Sequence, residues 1–264
     1  MPKIVFSDVD GTLLNSELKI SPRTEEAVKT LQSRGIPFVI ISARSPSGIY
    51  PITEEYGLCC PIISYSGALI LDEDRQVLFH RGLSKDRARE IIDYIEEGRF
   101  GVSWCIYSLD EWIVKDKTDP RIVKEEWIVN AQARQGTVAS ASDDIISKIL
   151  CIGEPDEILK LEKILKKAFP QYSIVKSFDS LLEIMESGIT KETAVRTLCK
   201  LWDIPVAEAV AFGDNYNDEE MLTAVGYGFL MGNAPEPLKK KIKMHTKDND
   251  HDGIYSALAK LKLI

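Results

Sequence analysis

The chain opens on a short apolar run, KIVFSDV (3–9), that ends in polar residues, and this pattern predicts a buried strand. SPRTEEAVKTLQSRG (21–35) has helical spacing instead. Ala27, Val28 and Leu31 share a face, Ser21 suits the N-cap, Pro22 the first helical position, and Gly35 the stop. A second continuous apolar run, IPFVIIS (36–42), leads through a short helix to a third, PIISYSG (61–67). Continuous apolar strands alternating with helices predict a parallel sheet covered on both faces.

The pattern changes after residue 67. ALILDEDRQVLFHRG (68–82) predicts a hairpin turning at residues 72–75. The stretch 84–187 then reads as helix, two short strands (GVSWCIYS and EWIVKD), helix, strand (IISKILCIG), helix, and two more strands (YSIVKS and LLEIMES). Short strands in pairs predict an antiparallel sheet with its helices on one side. Alternation of the first kind returns with a helix from Thr190, the strand AVAFG (209–213), a helix after Asn215, the short strand GYGFLMG (226–232) and a last helix over 252–262. The organisation expected is one domain inserted into another: a core over 1–83 and 189–264, and an α+β domain over 84–188.

Composition narrows the function classes. The 264 residues carry a formal net charge of −8 with a pI near 5.1, which argues against nucleic acid or an anionic membrane as partner. Five cysteines without a CxxC pair read as reduced thiols, and the first residues lack a secretion signal, so the expected compartment is the cytoplasm. His80, His245 and His251 show no metal-ligand spacing, and no apolar run is long enough to span a bilayer. Oligomeric state is not legible.

Candidate chemistry sits where strands end or helices begin, the edge at which open parallel sheets bind ligands. Asp8-Val9-Asp10-Gly11-Thr12 places two carboxylates two residues apart, so that on a strand they project together. A hard divalent cation such as Mg²⁺ would relieve their repulsion. Ser42 ends the second strand, where its hydroxyl and the following N–H groups could hold a phosphate oxygen; turn chemistry is the plainer reading. Lys191 stands in the first turn of a helix, the wrong end for a cation. Asp214 and Asp218 in GDNYND (213–218) could face the first acid pair, or cap a helix. Trp104, Tyr107, Trp112 and Trp127 could stack on a ring, although aromatics at such spacing more often fill a core. There is no GxxxxGK[ST] loop for a nucleoside triphosphate.

The order acid pair, hydroxyl, lysine, acid pair resembles the haloacid dehalogenase-like superfamily of phosphatases, and DVDGTLLN, GDNYNDEEML, MGNAPEPLK and DNDHDGIYSAL look like its Cof-type members across essentially the whole chain. Ser42-Ala43-Arg44 departs from the commoner Thr-Gly-Arg, and Glu192 stands where glycine is frequent after the lysine. The resemblance implies an α/β fold with a Rossmann-like parallel-sheet core and an inserted α+β cap. It also implies Mg²⁺-dependent hydrolysis of small phosphorylated metabolites, sugar phosphates among them. By resemblance, Asp8 is the nucleophile that forms an aspartyl-phosphate, and Asp10 the general acid and base. Asp8, the Asp10 carbonyl and Asp214 bind Mg²⁺, and Asp218 does so directly or through water. Ser42, Ala43, Lys191 and Asn217 contact the phosphoryl group, with the N–H groups of Val9, Asp10 and Ala43 assisting. A sugar phosphomutase of the same superfamily and a non-catalytic phospholigand-binding protein are the alternatives. The first would need clustered cap arginines and the second a degraded acid set, and neither feature is present.

Overall fold

A computed structural model describes residues 1–129 and 131–264. The chain runs through β1 (Ile4–Ser7), α1 (Pro22–Ser33), β2 (Phe38–Ile41), α2 (Pro46–Glu55), β3 (Ile62–Ser64), β4 (Leu69–Leu71) and β5 (Val77–His80). It continues with β6 (Leu83–Ser84), α3 (Lys85–Glu97), β7 (Val102–Ser108), β8 (Glu111–Val114), α4 (Pro120–Val129), β9 (Arg134–Gln135), β10 (Ile145–Ile146), β11 (Lys148–Gly153), α5 (Pro155–Ala168), β12 (Tyr172–Phe178) and β13 (Leu181–Glu186). It closes with α6 (Lys191–Leu201), β14 (Ala209–Gly213), α7 (Glu219–Ala224), β15 (Tyr227–Leu230), α8 (Glu236–Lys239), β16 (Met244–His245) and α9 (Gly253–Lys260). Two compact units result. One comprises Met1–Arg44, Ile49–Leu78 and Thr190–Ile264, and the other Ser45–Gly48 and Phe79–Ile189. Among the described residues no helix is long and apolar enough to cross a membrane.

The first unit is built on an eight-stranded sheet of order β16-β15-β14-β1-β2-β3-β4-β5, parallel from β16 to β3 and antiparallel from β3 to β4. The strands β1, β2 and β14 are buried at every position, as strands covered on both faces must be. From β1 the order runs one way to β2 and β3 and the other way to β14 and β15, so the chain reverses its direction of winding beside β1. Crevices form outside the carboxyl ends of strands at such a reversal.

The second unit carries a six-stranded sheet of order β12-β13-β11-β7-β8-β9. Its register lines up Ile174, Ile184, Ile149, Ile106 and Ile113 across five strands on one face. Ile91, Ile92 and Ile95 of α3 and Ile158, Leu161 and Leu165 of α5 join the same core. Burying each such side chain is worth about 1.5–3 kcal/mol. The expectation of helices on one side holds for α3 and α5 but not for α4. Glu125 of α4 neighbours Cys105 and Lys148, which alternate with Ile106 and Ile149 and so face the other way. The reason is that β7 is buried from Ser103 to Ser108 and β11 at every position, and strands buried on both faces need cover on both.

Candidate active site

Three neighbouring parallel strands end together. Ser7 of β1 lies opposite Phe212 of β14 and Ile40 of β2, so Asp8, Ser42 and Asp214 emerge along one edge. The Asp8 N–H donates to the Phe212 carbonyl at 3.0 Å, which ties Asp8 to β14. Beyond Ser7 the backbone leaves the strand for a turn over Val9–Leu13 that is not helical at its middle, with Asp10 near φ −77°, ψ 119° and Gly11 at φ 77°. Asp8 and Asp10 therefore do not project together as strand alternation would have it. Asp8 is 7% exposed and turned inward. The Asp10 carboxylate is 55% exposed and gripped by Arg44, Nε to Oδ2 at 3.0 Å and an Nη to Oδ1 at 2.5 Å.

Lys191 explains its odd place in the helix. Thr190 caps α6 by accepting the Thr193 N–H at 3.2 Å, which sets Lys191 as the first helical residue. Its ammonium lies 2.7 Å from Asp8 Oδ1 and 2.6 Å from Asp218 Oδ1, almost wholly out of water. Burial works against that charge, but the two carboxylates outweigh it and hold the lysine protonated, above its usual range. Asp218 is fully buried, and its Oδ2 accepts the N–H groups of Asp214 and Asn215, each at 3.0 Å. A single lysine does not balance its neighbours. Burial, and then the charge of Asp218, push the Asp8 carboxyl up to about 7 against the pull of Lys191. Burial, assisted by Asp218 and Asp10, pushes Asp214 up to about 6 although a hydrogen bond from Thr12 and the charge of Lys191 oppose it.

These acids fit a divalent cation. One carboxylate oxygen each from Asp8, Asp214 and Asp218 lie within 4.8 Å of one another. Three carboxylates and one ammonium sum to −3 + 1 = −2, the charge such an ion would neutralise. An all-oxygen donor set suits a hard cation, Mg²⁺ among them. The glycines beside it are required sterically. A methyl group on Gly11 would lie 2.5 Å from Asp214 Oδ2, and one on Gly213 2.5 Å from the Asp218 side chain.

The structure thus gathers Asp8, Lys191, Asp214 and Asp218. Ser42 is buried after β2, its hydroxyl accepting the Arg44 N–H at 3.2 Å. Ala43 and Asn217 occupy exposed turn positions after β2 and β14. Three residues without an assigned role join the site. Thr12 donates its hydroxyl to Asp214 Oδ1 at 2.8 Å, Asn233 donates to the Gly11 carbonyl at 2.8 Å, and Arg44 holds Asp10. Thr12, Arg44 and Asn233 all stand inside the motif stretches, but nothing local signals their partners. Of the aromatics, Trp104 belongs to the core of the second unit and donates to Glu96, Tyr107 and Trp112 stack on each other, and Trp127 is exposed on α4.

Known proteins match the sequence and fold of this chain. The profile of haloacid dehalogenase-like hydrolases fits residues 5–258. A Haemophilus influenzae protein, described without a substrate as a phosphatase, is 37% identical over 259 residues, covering 96% of each chain. An HMP-PP phosphatase of Serratia proteamaculans is 27% identical over 90% of this chain and 87% of its own. A haloacid dehalogenase-like hydrolase from Bacteroides thetaiotaomicron superposes with a TM-score of 0.87 at 27% identity, covering 99% of this chain and 100% of its own.

Proposed function

The chain belongs to the haloacid dehalogenase-like hydrolases and is a phosphoric monoester hydrolase, and on that premise we propose that it cleaves small phosphate monoesters with Mg²⁺ through a phosphoryl group carried on Asp8. The observation behind this reading is the buried Asp8–Lys191–Asp218 array beside Asp214 at the carboxyl edge of the sheet. Asp8, the Asp10 carbonyl and Asp214 would hold the cation, which supplies positive charge against the acids and the phosphoryl oxygens. Asp218, whose oxygens accept from Lys191 and from the N–H groups of Asp214 and Asn215, would anchor Lys191 and the Asp214 turn and meet the ion directly or through water.

A carboxylate oxygen of Asp8 attacks phosphorus, the new O–P bond forms, and the bond to the leaving alcohol breaks. Asp10 gives that alcohol a proton and later takes one from the water that hydrolyses the acyl phosphate. An exposed carboxylate oriented by Arg44 supports that role. Lys191, Ser42, Asn217 and the N–H groups of Val9, Asp10 and Ala43 seat the phosphoryl oxygens, since phosphoryl transfer depends mainly on positioning and electrostatics. The inserted unit is proposed to supply the residues that read the leaving group. Sugar phosphates and, from the Serratia relative, HMP-PP head the substrate panel. The cytoplasm is the proposed compartment, supported by five free cysteines.

The test is phosphate release from an aryl phosphate by the wild type and by Asp8→Ala and Asp8→Asn. Loss of turnover in folded variants is expected. Full activity in a folded Asp8→Ala protein would sink the mechanism.

A further inference from the structure

Asp214 is held more tightly than a metal ligand requires. Its Oδ1 accepts the Thr12 hydroxyl at 2.8 Å. Its Oδ2 lies against Gly11, where even a methyl group would collide, and faces the Asn233 amide at 3.4 Å. That amide donates at 2.8 Å to the Gly11 carbonyl, so it is fixed from the other side. The loop carrying Asn233 is tied in turn to β14, because Met231 N–H donates to the Gly213 carbonyl at 2.9 Å. Two segments distant in sequence, Gly11–Thr12 and the loop carrying Asn233, therefore converge on one carboxylate and restrain its rotation.

We infer that Thr12 and Asn233 form a clamp that makes Asp214 a one-oxygen donor, and that the clamp selects Mg²⁺ against Ca²⁺. The inference rests on the metal reading above. Calcium takes six to eight oxygens in flexible geometry and commonly draws both oxygens of a carboxylate, whereas magnesium demands an octahedron of single donors at shorter distance. A carboxylate with both oxygens hydrogen-bonded and one face walled by Gly11 cannot swing to chelate. The other two acids are engaged as well: Asp8 Oδ1 lies 2.7 Å from the Lys191 ammonium, and Asp218 accepts from Lys191 on Oδ1 and from two N–H groups on Oδ2. Thr12 and Asn233 act through Asp214 and are positioning residues.

The experiment is calorimetric titration of metal-free protein with Mg²⁺ and with Ca²⁺ separately, for the wild type, Asn233→Ala and Thr12→Val. Removing a hydrogen-bond partner of a ligand typically costs about 10–100-fold in metal affinity. The expected result is a loss of Mg²⁺ affinity of about tenfold in Asn233→Ala with Ca²⁺ affinity kept or raised, so that the ratio of the two constants falls by about tenfold or more. Asn233 is exposed and its replacement leaves the core intact, while Thr12→Val provides an independent lesion on the other oxygen. A ratio unchanged within about twofold in both variants overturns the clamp. A folded wild type that binds neither cation overturns the metal reading itself, and is told apart from failure of the clamp by that wild-type titration alone.

Discussion

Replacing Lys191 by Met keeps most of the side-chain volume and deletes the ammonium that pairs with both Asp8 and Asp218. At 2.7 Å and an effective dielectric of about 20, each ion pair is worth about 6 kcal/mol of attraction before desolvation is counted. Returning the lysine to water in the reference state offsets much of that, and breaking a buried pair from one side leaves a net loss of about 3–5 kcal/mol. Protons can soften the loss. The Asp8 carboxyl, at about 7 in the folded chain against 3.8 when free, binds a proton in the folded state over a range where the unfolded state has released it. Stability of the metal-free wild type therefore falls as pH rises from about 4 to about 7. Without Lys191 the carboxyl shifts further upward, so the folded variant suffers most at high pH. The difference in stability should be small near pH 5 and reach about 3–5 kcal/mol near pH 8, a drop in Tm of about 10 °C for a chain of this size. Thermal unfolding in EDTA at several pH values measures it. A Tm difference that stays constant with pH, or corresponds to less than about 1 kcal/mol at pH 8, would refute the picture of two buried carboxylates dependent on one cation.

Other outcomes follow from the same geometry. Mg²⁺ should raise Tm little at pH 5.5 and progressively more up to pH 7.5, because below about 7 for Asp8 and about 6 for Asp214 the ion must displace protons; a pH-independent shift would count against these ligands. Asp10→Asn should cut turnover of an alkyl phosphate by about 10²–10⁴ and that of a nitrophenyl phosphate far less, since nitrophenolate departs without a proton. Equal losses on both substrates would remove Asp10 from the proton-transfer role. Gly11→Ala should cost about 1–2 kcal/mol through the left-handed backbone and, by displacing Asp214, weaken Mg²⁺ binding; calorimetry with unchanged affinity would contradict the close contact.

How much of this was readable along the chain depended on distance. The runs IVFS, FVII and AVAFG are legible as buried strands because every residue is apolar or small, whichever face it takes. That β14 lies beside β1 is not legible, since about two hundred residues separate them and the register depends on packing. Lys191 could be singled out because it opposes the helix dipole, a local misfit that signals an outside partner. Asn233 offers no such misfit, and its partner Gly11 is 222 positions away. The reading of Asp8 and Asp10 as parallel neighbours failed for a local reason. Alternation holds only while the strand lasts, and this one ends at Ser7. Similarly, GVSWCIYS reads as a strand, but its lack of polar alternation was the sign that the second face would also be covered, as α4 covers it.

The site is also the seam of the first unit. The segments on either side of the inserted unit are stitched at this edge by the Asp8 N–H to Phe212, Thr12 to Asp214, Asn233 to Gly11 and Lys191 to Asp8. The same bonds that aim the carboxylates therefore help hold the discontinuous core together. Their charges oppose that purpose, because in the metal-free chain the acids exceed the cations and take up protons to compensate. A bound cation reverses the sign of that effect. At a concentration one hundred times its dissociation constant it adds about 2.7 kcal/mol to the folded state. Activity lost in a seam variant consequently has two sources, a misplaced ligand or a loosened core. Melting curves with and without Mg²⁺ separate them: a misplaced ligand shrinks only the Mg²⁺-dependent increment, whereas a loosened core lowers both curves together.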